Sequence, residues 1–83
     1  MSDLQPIHQA DQSRFVIAVE DSEAVLEYKL GGDGAVDFYR TFVPPQGRGS
    51  GIAEKLVRAG LAWAGQQSLQ IEASCWYVQK FLK

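Results

Sequence analysis

The stretch AVDFYRTFVPPQGRGSGIA, residues 35–53, decides the fold that the sequence predicts. Residues 35–43 alternate apolar and polar side chains with the period of a strand, and one face is expected to carry Val36, Phe38, Arg40 and Phe42. The double proline that follows ends the strand, because proline has no amide to donate to a sheet. After a glycine-rich bend, apolar residues recur at helical spacing from Ile52 to about Gln67, which predicts a helix.

Two more strands precede this stretch. Residues 14–19 (RFVIAV) are short and β-branched, and residues 24–30 end in near-alternation of apolar and polar side chains. Turn residues separate the two segments. The segment GGDG, residues 31–34, is a strong hairpin signal, because glycine and aspartate tolerate the positive φ of tight turns. The three strands are therefore expected to form an antiparallel meander.

The chain beyond the helix supplies one more strand and one more helix. Residues 69–73 alternate as a fourth strand, and residues 75–82 fit a closing helix whose apolar side carries Val78, Phe81 and Leu82. A strand, a helix and a strand in succession make a right-handed crossover with parallel strands. The predicted fold class is α/β (α+β), in the order β-β-β-α-β-α. The third and fourth strands end at one sheet edge, where ligands usually bind.

Length and composition limit the possible functions. Eighty-three residues make one domain, with a polar and flexible leader expected at residues 1–13 and the domain at residues 14–83. Eight basic and ten acidic residues argue against a nucleic-acid partner. No segment reaches the roughly 18 apolar residues of a membrane span, and no signal peptide is recognised, so no membrane partner is expected. The single cysteine cannot form an internal disulfide, which favours the reducing cytoplasm.

The bend QGRGSG, residues 46–51, lies between a strand and the start of a helix. Glycine lets backbone amides approach a ligand, and the first amides of a helix form a site for anions, above all phosphate. Arg48 would add a bidentate contact. The alternative is a flexible loop that only caps the helix. Neither nucleotide loop fits, because the chain has no Gly-Lys pair and Ile52 breaks the dinucleotide fingerprint.

The spacing of Gln46, Gly49 and Gly51 fits the motif Gln/Arg-x-x-Gly-x-Gly/Ala, by which the sequence resembles the GNAT-type N-acetyltransferases. The resemblance covers about residues 14–83. It is closest to the compact single-domain subfamily, through the segments TFVPP (41–45), RGSGIA (48–53), LV (56–57) and SCWYV (74–78).

This resemblance implies an enzyme that transfers the acetyl group of acetyl-CoA to an unidentified primary amine. Backbone groups at the end of the third strand would pair with the pantetheine arm, and amides of the bend would bind the pyrophosphate. The thioester would lie where the third and fourth strands splay apart. The residues implied to bind coenzyme A are Phe42, Val43, Gln46, Gly47, Arg48, Gly49, Ser50, Gly51, Ile52 and Ala53.

Cys75 is the first candidate for catalysis. It follows the fourth strand at the expected start of the last helix, where a thiol can have a lowered pKa. Free cysteine is also commonly a small buried hydrophobe. In the subfamily that the sequence resembles, a cysteine here is a proposed catalytic residue. Either Cys75 accepts the acetyl group covalently, or the amine attacks the thioester directly and Cys75 only packs or protonates the leaving thiolate.

Tyr77 is the second candidate, because a tyrosine on the helix after this strand often serves as an acid in GNAT enzymes; packing is its alternative role. His8, the only histidine, is in the leader, so neither a metal site nor a Ser-His-Asp triad is expected. Arg40 stands where the subfamily has a histidine. Either the chemistry or substrate of this protein differs from that of the subfamily, or Arg40 is only a solvated strand residue. Asp37 and Glu72 would attract a cationic amine or only keep the surface polar.

Few residues follow the last helix to form a substrate wall. The acceptor site is therefore expected to be either shallow and open or completed by a second copy of the chain. Two functions remain as alternatives to catalysis. One is a module or partner-controlled subunit that binds coenzyme A or acyl-CoA, and the other is an interaction domain whose loop binds another phosphate-bearing ligand.

Overall fold

The structure is a computed structural model and describes residues 5–47, 49 and 51–82. Its main elements are β1 (Ile7–Gln9), β2 (Arg14–Val19), β3 (Ser22–Leu30), β4 (Ala35–Phe42), α1 (Ile52–Gln66), β5 (Gln70–Ala73) and α2 (Trp76–Gln79). The five strands form one sheet in the order β1-β2-β3-β4-β5. β1 to β4 pair with one another in antiparallel fashion, whereas β5 is parallel to β4. The predicted fold class, a meander followed by a crossover, is confirmed.

The sheet contains one strand that the sequence pattern does not predict. β1 lies within residues 1–13, where a flexible leader was expected, and its His8 pairs with Phe15 of β2. The His8 ring stacks on Phe15, and its Nε2 lies 2.6 Å from the hydroxyl of Tyr28. A histidine therefore supplies the aromatic contact that attaches β1, and a pattern of apolar side chains does not detect it. Residues 1–4 lie outside the described residues.

The core lies between α1 and one face of the sheet. Among its fully buried side chains are Ile17, Leu26, Val36, Phe38, Leu56, Val57 and Val78. Gly60 of α1 lies where the helix approaches the sheet most tightly. A Cβ there would lie 2.8 Å from Leu26 and 2.9 Å from Phe38. This close approach explains a glycine inside a helix, where it costs about 1 kcal/mol relative to alanine.

A β-bulge interrupts β4. Glu27 of β3 pairs with Arg40, but the next residue, Tyr28, pairs with Phe38. Tyr39 is therefore an extra residue in β4 with no partner in the β3 register.

The bulge reverses which side chains of β4 face the core. Phe38 is buried, whereas Arg40 and Phe42 point to the opposite face of the sheet. Thr41 pairs with the buried Leu26 and shares its face. The predicted apolar face is therefore correct for Val36 and Phe38, and wrong for Arg40 and Phe42, which lie beyond the bulge.

The last helix is shorter than the predicted residues 75–82. α2 has one turn, Trp76–Gln79, because the amides of Lys80, Phe81 and Leu82 bond carbonyls three residues back rather than four. Val78 is buried and Phe81 packs on the core, but Leu82 is exposed. The other predicted elements agree to within two residues. No helix in the described part of the chain is long and apolar enough to span a bilayer.

Candidate functional site

The parallel strands β4 and β5 separate at one edge of the sheet. Their ladder ends where Phe38 pairs with Ala73, although β4 continues to Phe42. One further backbone hydrogen bond, from the amide of Cys75 to the carbonyl of Phe38 (3.1 Å), joins the two segments. The carboxyl end of β4 therefore extends past its parallel neighbour, as expected of the splayed strands.

A cavity of about 330 Å³ opens beside this edge. It is lined by Val43, Gly47, Gly49, Gly51, Ile52, Ala53, Glu54 and Tyr77. The structure thus brings six of the residues predicted to bind coenzyme A together with the catalytic candidate Tyr77. The Phe42 side chain contributes to a hollow on the opposite sheet face, and Gln46 is exposed in a 3-10 turn. Arg48 and Ser50 lie outside the described residues.

The glycines of the bend differ in backbone conformation and in the space around them. Gly49 and Gly51 have φ values of 83° and 78°, in the left-handed region that favours glycine. A Cβ on either would meet no atom within 4 Å, so open space lies in front of their backbone. At Gly47, a Cβ would lie 2.9 Å from Ile52. Gly49 and Gly51 therefore present bare backbone at the cavity, which fits close approach by a ligand.

The positive end of α1 lies at the same cavity. α1 has fifteen residues, and its N-cap, Gly51, has no side chain to accept a hydrogen bond from the first amides. The Lys55 amide donates a hydrogen bond to the Gly51 carbonyl. The amides of residues 52–54 consequently have no acceptor within the helix. Glu54 also lines the cavity, but its carboxylate accepts a 2.7 Å hydrogen bond from Arg58. The amides and the helix dipole favour an anion at this place.

Cys75 is half-buried at the corner between β5 and α2, with its Sγ 3.5 Å from Oγ1 of Thr41. Partial burial alone would raise the pKa of the thiol. The hydrogen bond to Thr41 and the nearby amides of Val78, Tyr77 and Thr41 outweigh burial and lower this pKa. The Thr41 hydroxyl is the side-chain group that hydrogen-bonds the sulfur.

Asp37 of β4 holds the corner that precedes Cys75. Its Oδ1 accepts a hydrogen bond from the Ser74 amide, and its Oδ2 accepts one from the Ser74 hydroxyl, each 2.8 Å long. Both carboxylate oxygens are therefore engaged within the protein. This arrangement favours a structural role over the predicted attraction of an amine. Glu72, the other predicted acidic residue, pairs with Asp37 across the ladder and is exposed.

Tyr77 combines packing with access to the cavity. Its ring packs against Phe81 at 5.3 Å between centroids, and the ammonium of Lys80 lies 5.3 Å from its centroid. Burial and, to a smaller extent, the negative charge of Glu54 raise the pKa of the Tyr77 hydroxyl. The hydroxyl consequently stays protonated at neutral pH and is able to donate a proton or a hydrogen bond.

Arg40 lies away from this cavity. The bulge places it on the opposite sheet face, where its guanidinium is 3.2 Å from the carboxylate of Glu27. A guanidinium stays charged and cannot act as a base. Arg40 therefore does not replace the histidine expected from the resemblance. Among residues 5–47, 49 and 51–82, no three histidine, cysteine or carboxylate side chains are grouped as metal ligands would be.

Sequence reasoning missed Thr41 as a site residue, and it missed the contact of Asp37 with Ser74. Strand alternation places Thr41 on the wrong face, because it cannot detect the bulge. The contact between Asp37 and Ser74 joins residues 37 positions apart, and no local pattern signals it.

Comparison with known proteins agrees with this arrangement. The family model described as GCN5-related N-acetyl-transferase matches residues 14–83. The chain is 43% identical over 60 residues to Protein NATD1 of Bos taurus, a match that covers 72% of the chain and 53% of that protein. It is 34% identical over 82 residues to Protein NATD1 of Gallus gallus, covering 96% of the chain and 74% of the relative. The match to the Danio rerio protein of the same name is 36% over 78 residues, covering 92% and 71%.

The bovine match spans about half of that relative's length. The family model, in contrast, accounts for all of this chain beyond residue 13 and includes the separated strands, the glycine bend and the Cys75 corner. The chain therefore belongs to the GCN5-related N-acetyltransferase family.

Proposed function

We propose that the protein binds acetyl-CoA and transfers its acetyl group to a primary amine. The observation that carries this proposal is the cavity that joins the glycine bend and the start of α1 to Tyr77. The cavity lies at the edge where the two parallel strands separate, with Cys75 at the adjoining corner. An anion-binding backbone and groups suited to proton and acyl transfer thus lie next to each other.

The chain's own groups fit a ligand with a diphosphate and an extended arm. The amides of Ile52 and Ala53 at the start of α1 would bind the diphosphate, beside the exposed backbone of Gly49 and Gly51. Phe42 pairs with β3 on one side and lies past the end of the β5 ladder, so its backbone would receive the extended arm on the other side. These roles need backbone groups and do not depend on the outward direction of the Phe42 side chain.

Two routes of acetyl transfer remain possible. In the covalent route, the Cys75 sulfur forms a bond to the acetyl carbon and the bond to the sulfur of coenzyme A breaks. The amine then takes the acetyl group, which releases the Cys75 thiolate and one proton. In the direct route, the amine nitrogen bonds to the acetyl carbon, the bond from that carbon to the sulfur of coenzyme A breaks, and the nitrogen releases one proton. In both routes the departing thiolate of coenzyme A needs a proton, which the Tyr77 hydroxyl would supply.

One observation favours a second candidate function, a module that binds coenzyme A or acyl-CoA without catalysis. Arg40 faces away from the cavity, and His8 packs in the aromatic cluster with Phe15 and Tyr28. Neither is placed to remove a proton from an ammonium. If the protein is catalytic, its amine substrate must therefore bind in the neutral form or lose its proton to solvent.

Titration calorimetry with acetyl-CoA and with coenzyme A tests ligand binding. We expect one site per chain, and a Gly49→Val variant to weaken it at least tenfold, because the side chain extends into space in front of the bend. Gly34→Val is the matched control, since Gly34 has the same φ of 83° and a Cβ there also meets no atom within 4 Å, but it lies in the distant hairpin. Absence of binding to folded protein at millimolar acetyl-CoA would reject the proposal.

Release of coenzyme A in the presence of amines separates the enzyme from the binding module. The panel should include polyamines, lysine peptides and small alkylamines. Amine-dependent release supports transfer, and tight binding without release supports the module. The cytoplasmic location, the amine partner and the lack of nucleic-acid and membrane partners stay predictions from the sequence.

A further inference from the structure

The bulge in β4 determines which side chain of that strand meets Cys75. With the extra residue Tyr39, Thr41 pairs with the buried Leu26 and is itself only partly exposed. Its Oγ1 consequently lies 3.5 Å from the sulfur of Cys75. Without the bulge, regular alternation would turn Thr41 to the opposite face of the sheet.

The position of Cys75 relative to Thr41 is fixed by other contacts with the same strand. The Cys75 amide bonds the carbonyl of Phe38, and Ser74 makes two hydrogen bonds to Asp37. Three contacts therefore hold the corner against β4, independently of the contact between oxygen and sulfur. Thr41 therefore approaches the sulfur from a strand position that is paired with β3.

We propose that Thr41 is a positioning residue of the acetyl-transfer site, whose hydroxyl donates a hydrogen bond to the Cys75 sulfur and stabilises its thiolate form. A thiolate has no proton and can only accept, whereas the threonine hydroxyl has one proton to donate. The thiolate is also the nucleophilic form of cysteine. The catalytic meaning of this contact rests on the proposed function, but the hydrogen bond does not.

The charged and titratable groups around Cys75 belong to classes that titrate in other pH ranges than a thiol. They include Asp37 on β4, which is bonded to Ser74, Tyr77 on α2, Glu54 on α1 beside Tyr77, and Lys80, whose ammonium lies 5.3 Å from the Tyr77 ring centroid. Carboxylates in general change charge well below, and phenols and alkylamines above, the range in which thiols titrate. A step in reactivity between these ranges therefore reports the thiol.

Because the chain has one cysteine, the rate of alkylation by iodoacetamide as a function of pH reports Cys75 alone. The test variants are Thr41→Val, which keeps the branched shape without the hydroxyl, and Thr41→Ser, which keeps the hydroxyl. We expect Thr41→Val to raise the midpoint by about one pH unit, a roughly tenfold lower thiolate fraction near neutrality. Thr41→Ser should titrate close to the original protein.

Ser74→Ala is the matched control, because it removes a hydroxyl next to Cys75 that bonds Asp37 rather than the sulfur. An unchanged midpoint in Thr41→Val would overturn the proposal. An equal rise in Ser74→Ala would also overturn it, by showing that any loosening of the corner has the same effect. If Thr41→Val does not give a native circular dichroism spectrum, Thr41→Ala provides the same comparison with a smaller side chain.

Alkylation requires no acetyl-CoA, so this test and the test of function can fail separately. If calorimetry finds no binding of acetyl-CoA, the proposed function is rejected, but the pH midpoint of Cys75 alkylation can still depend on Thr41. In the transfer assay we expect Thr41→Val to lower kcat with little change in KM for acetyl-CoA, and equal turnover would contradict the positioning role of Thr41 in acetyl transfer.

Discussion

The imidazole of His8 lies almost flat on the ring of Phe15, with 4.2 Å between the ring centroids and 7° between the planes. Trp63 of α1 contacts the same imidazole edge-on at 4.8 Å. One histidine therefore connects the edge strand β1 to both β2 and α1. Partial burial lowers the pKa of His8, so the folded protein favours the neutral ring.

The lowered pKa of His8 predicts a loss of stability in mild acid. The unfolded chain takes up the proton near the ordinary pKa of 6.5, and the folded chain only at lower pH. The stability contributed by neutral His8 is therefore complete above pH 6.5 and decreases as the pH falls from there towards the lowered pKa. Urea unfolding at several values between pH 7.5 and 5 should show this decrease.

His8→Phe is the matched variant, because it keeps an aromatic ring against Phe15 and removes the titration. We expect its stability to be nearly independent of pH over this window. His8→Ala should cost about 1 kcal/mol at neutral pH through loss of the ring contacts. The same decrease with pH in His8→Phe would show that other groups cause it.

Gly60 and Gly65 of α1 should respond in opposite ways to alanine. A Cβ at Gly60 would lie 2.8 Å from Leu26 and 2.9 Å from Phe38, whereas one at Gly65 meets nothing within 4 Å. We expect Gly60→Ala to destabilise the protein by about 1–3 kcal/mol through overpacking. Gly65→Ala should stabilise it by up to about 1 kcal/mol. Denaturation midpoints of the two variants provide the comparison, and equal shifts would contradict it.

These elements show which parts of the fold a single sequence can predict. The meander, α1 and the crossover follow from periodicity, because local burial repeats every two or 3.6 residues. The bulge at Tyr39 does not, because it arises from the register between β3 and β4. In the candidate site, backbone positions of the bend were predicted from glycine spacing, whereas the contacts of Thr41 and Asp37 depend on residues distant in the sequence.

The placement of Arg40 predicts that its side chain is dispensable for ligand binding. Its ion pair with Glu27 is exposed and lies on the face opposite the cavity. We expect Arg40→Ala to change stability by less than about 1 kcal/mol, as is usual for surface ion pairs. The affinity for acetyl-CoA in calorimetry should stay within about twofold of the original protein. A tenfold weaker complex would show that Arg40 reaches the ligand.

Tyr77 is expected to act through its hydroxyl. Tyr77→Phe keeps the packing against Phe81 and should lower kcat by about 10²-fold, with little effect on KM for acetyl-CoA. Because burial and Glu54 raise the pKa of Tyr77, the activity of the original protein should not decline through loss of this proton until the solution is strongly alkaline. Tyr39→Phe is the control, since Tyr39 lies at the bulge outside the cavity. Full activity of Tyr77→Phe would show that Tyr77 contributes only by packing.

The two transfer routes differ in what happens when the amine is withheld. The lowered pKa of the Cys75 thiol makes the nucleophilic thiolate more abundant at neutral pH. We therefore expect intact-mass spectrometry to find one acetyl group per chain after incubation with acetyl-CoA alone, and none in Cys75→Ala. Addition of the acceptor should then remove the acetyl group at a rate no slower than steady-state turnover.

The kinetics of Cys75→Ala decide whether such an adduct lies on the reaction path. On the covalent route the variant loses transfer, although it still binds acetyl-CoA in calorimetry, because the bend and α1 are unchanged. Full turnover by Cys75→Ala would assign transfer to direct attack by the amine, even if an acetylated cysteine is detected in the original protein. Cys75→Ser extends the comparison, because it keeps a hydroxyl beside Thr41 but is a much weaker nucleophile near neutral pH.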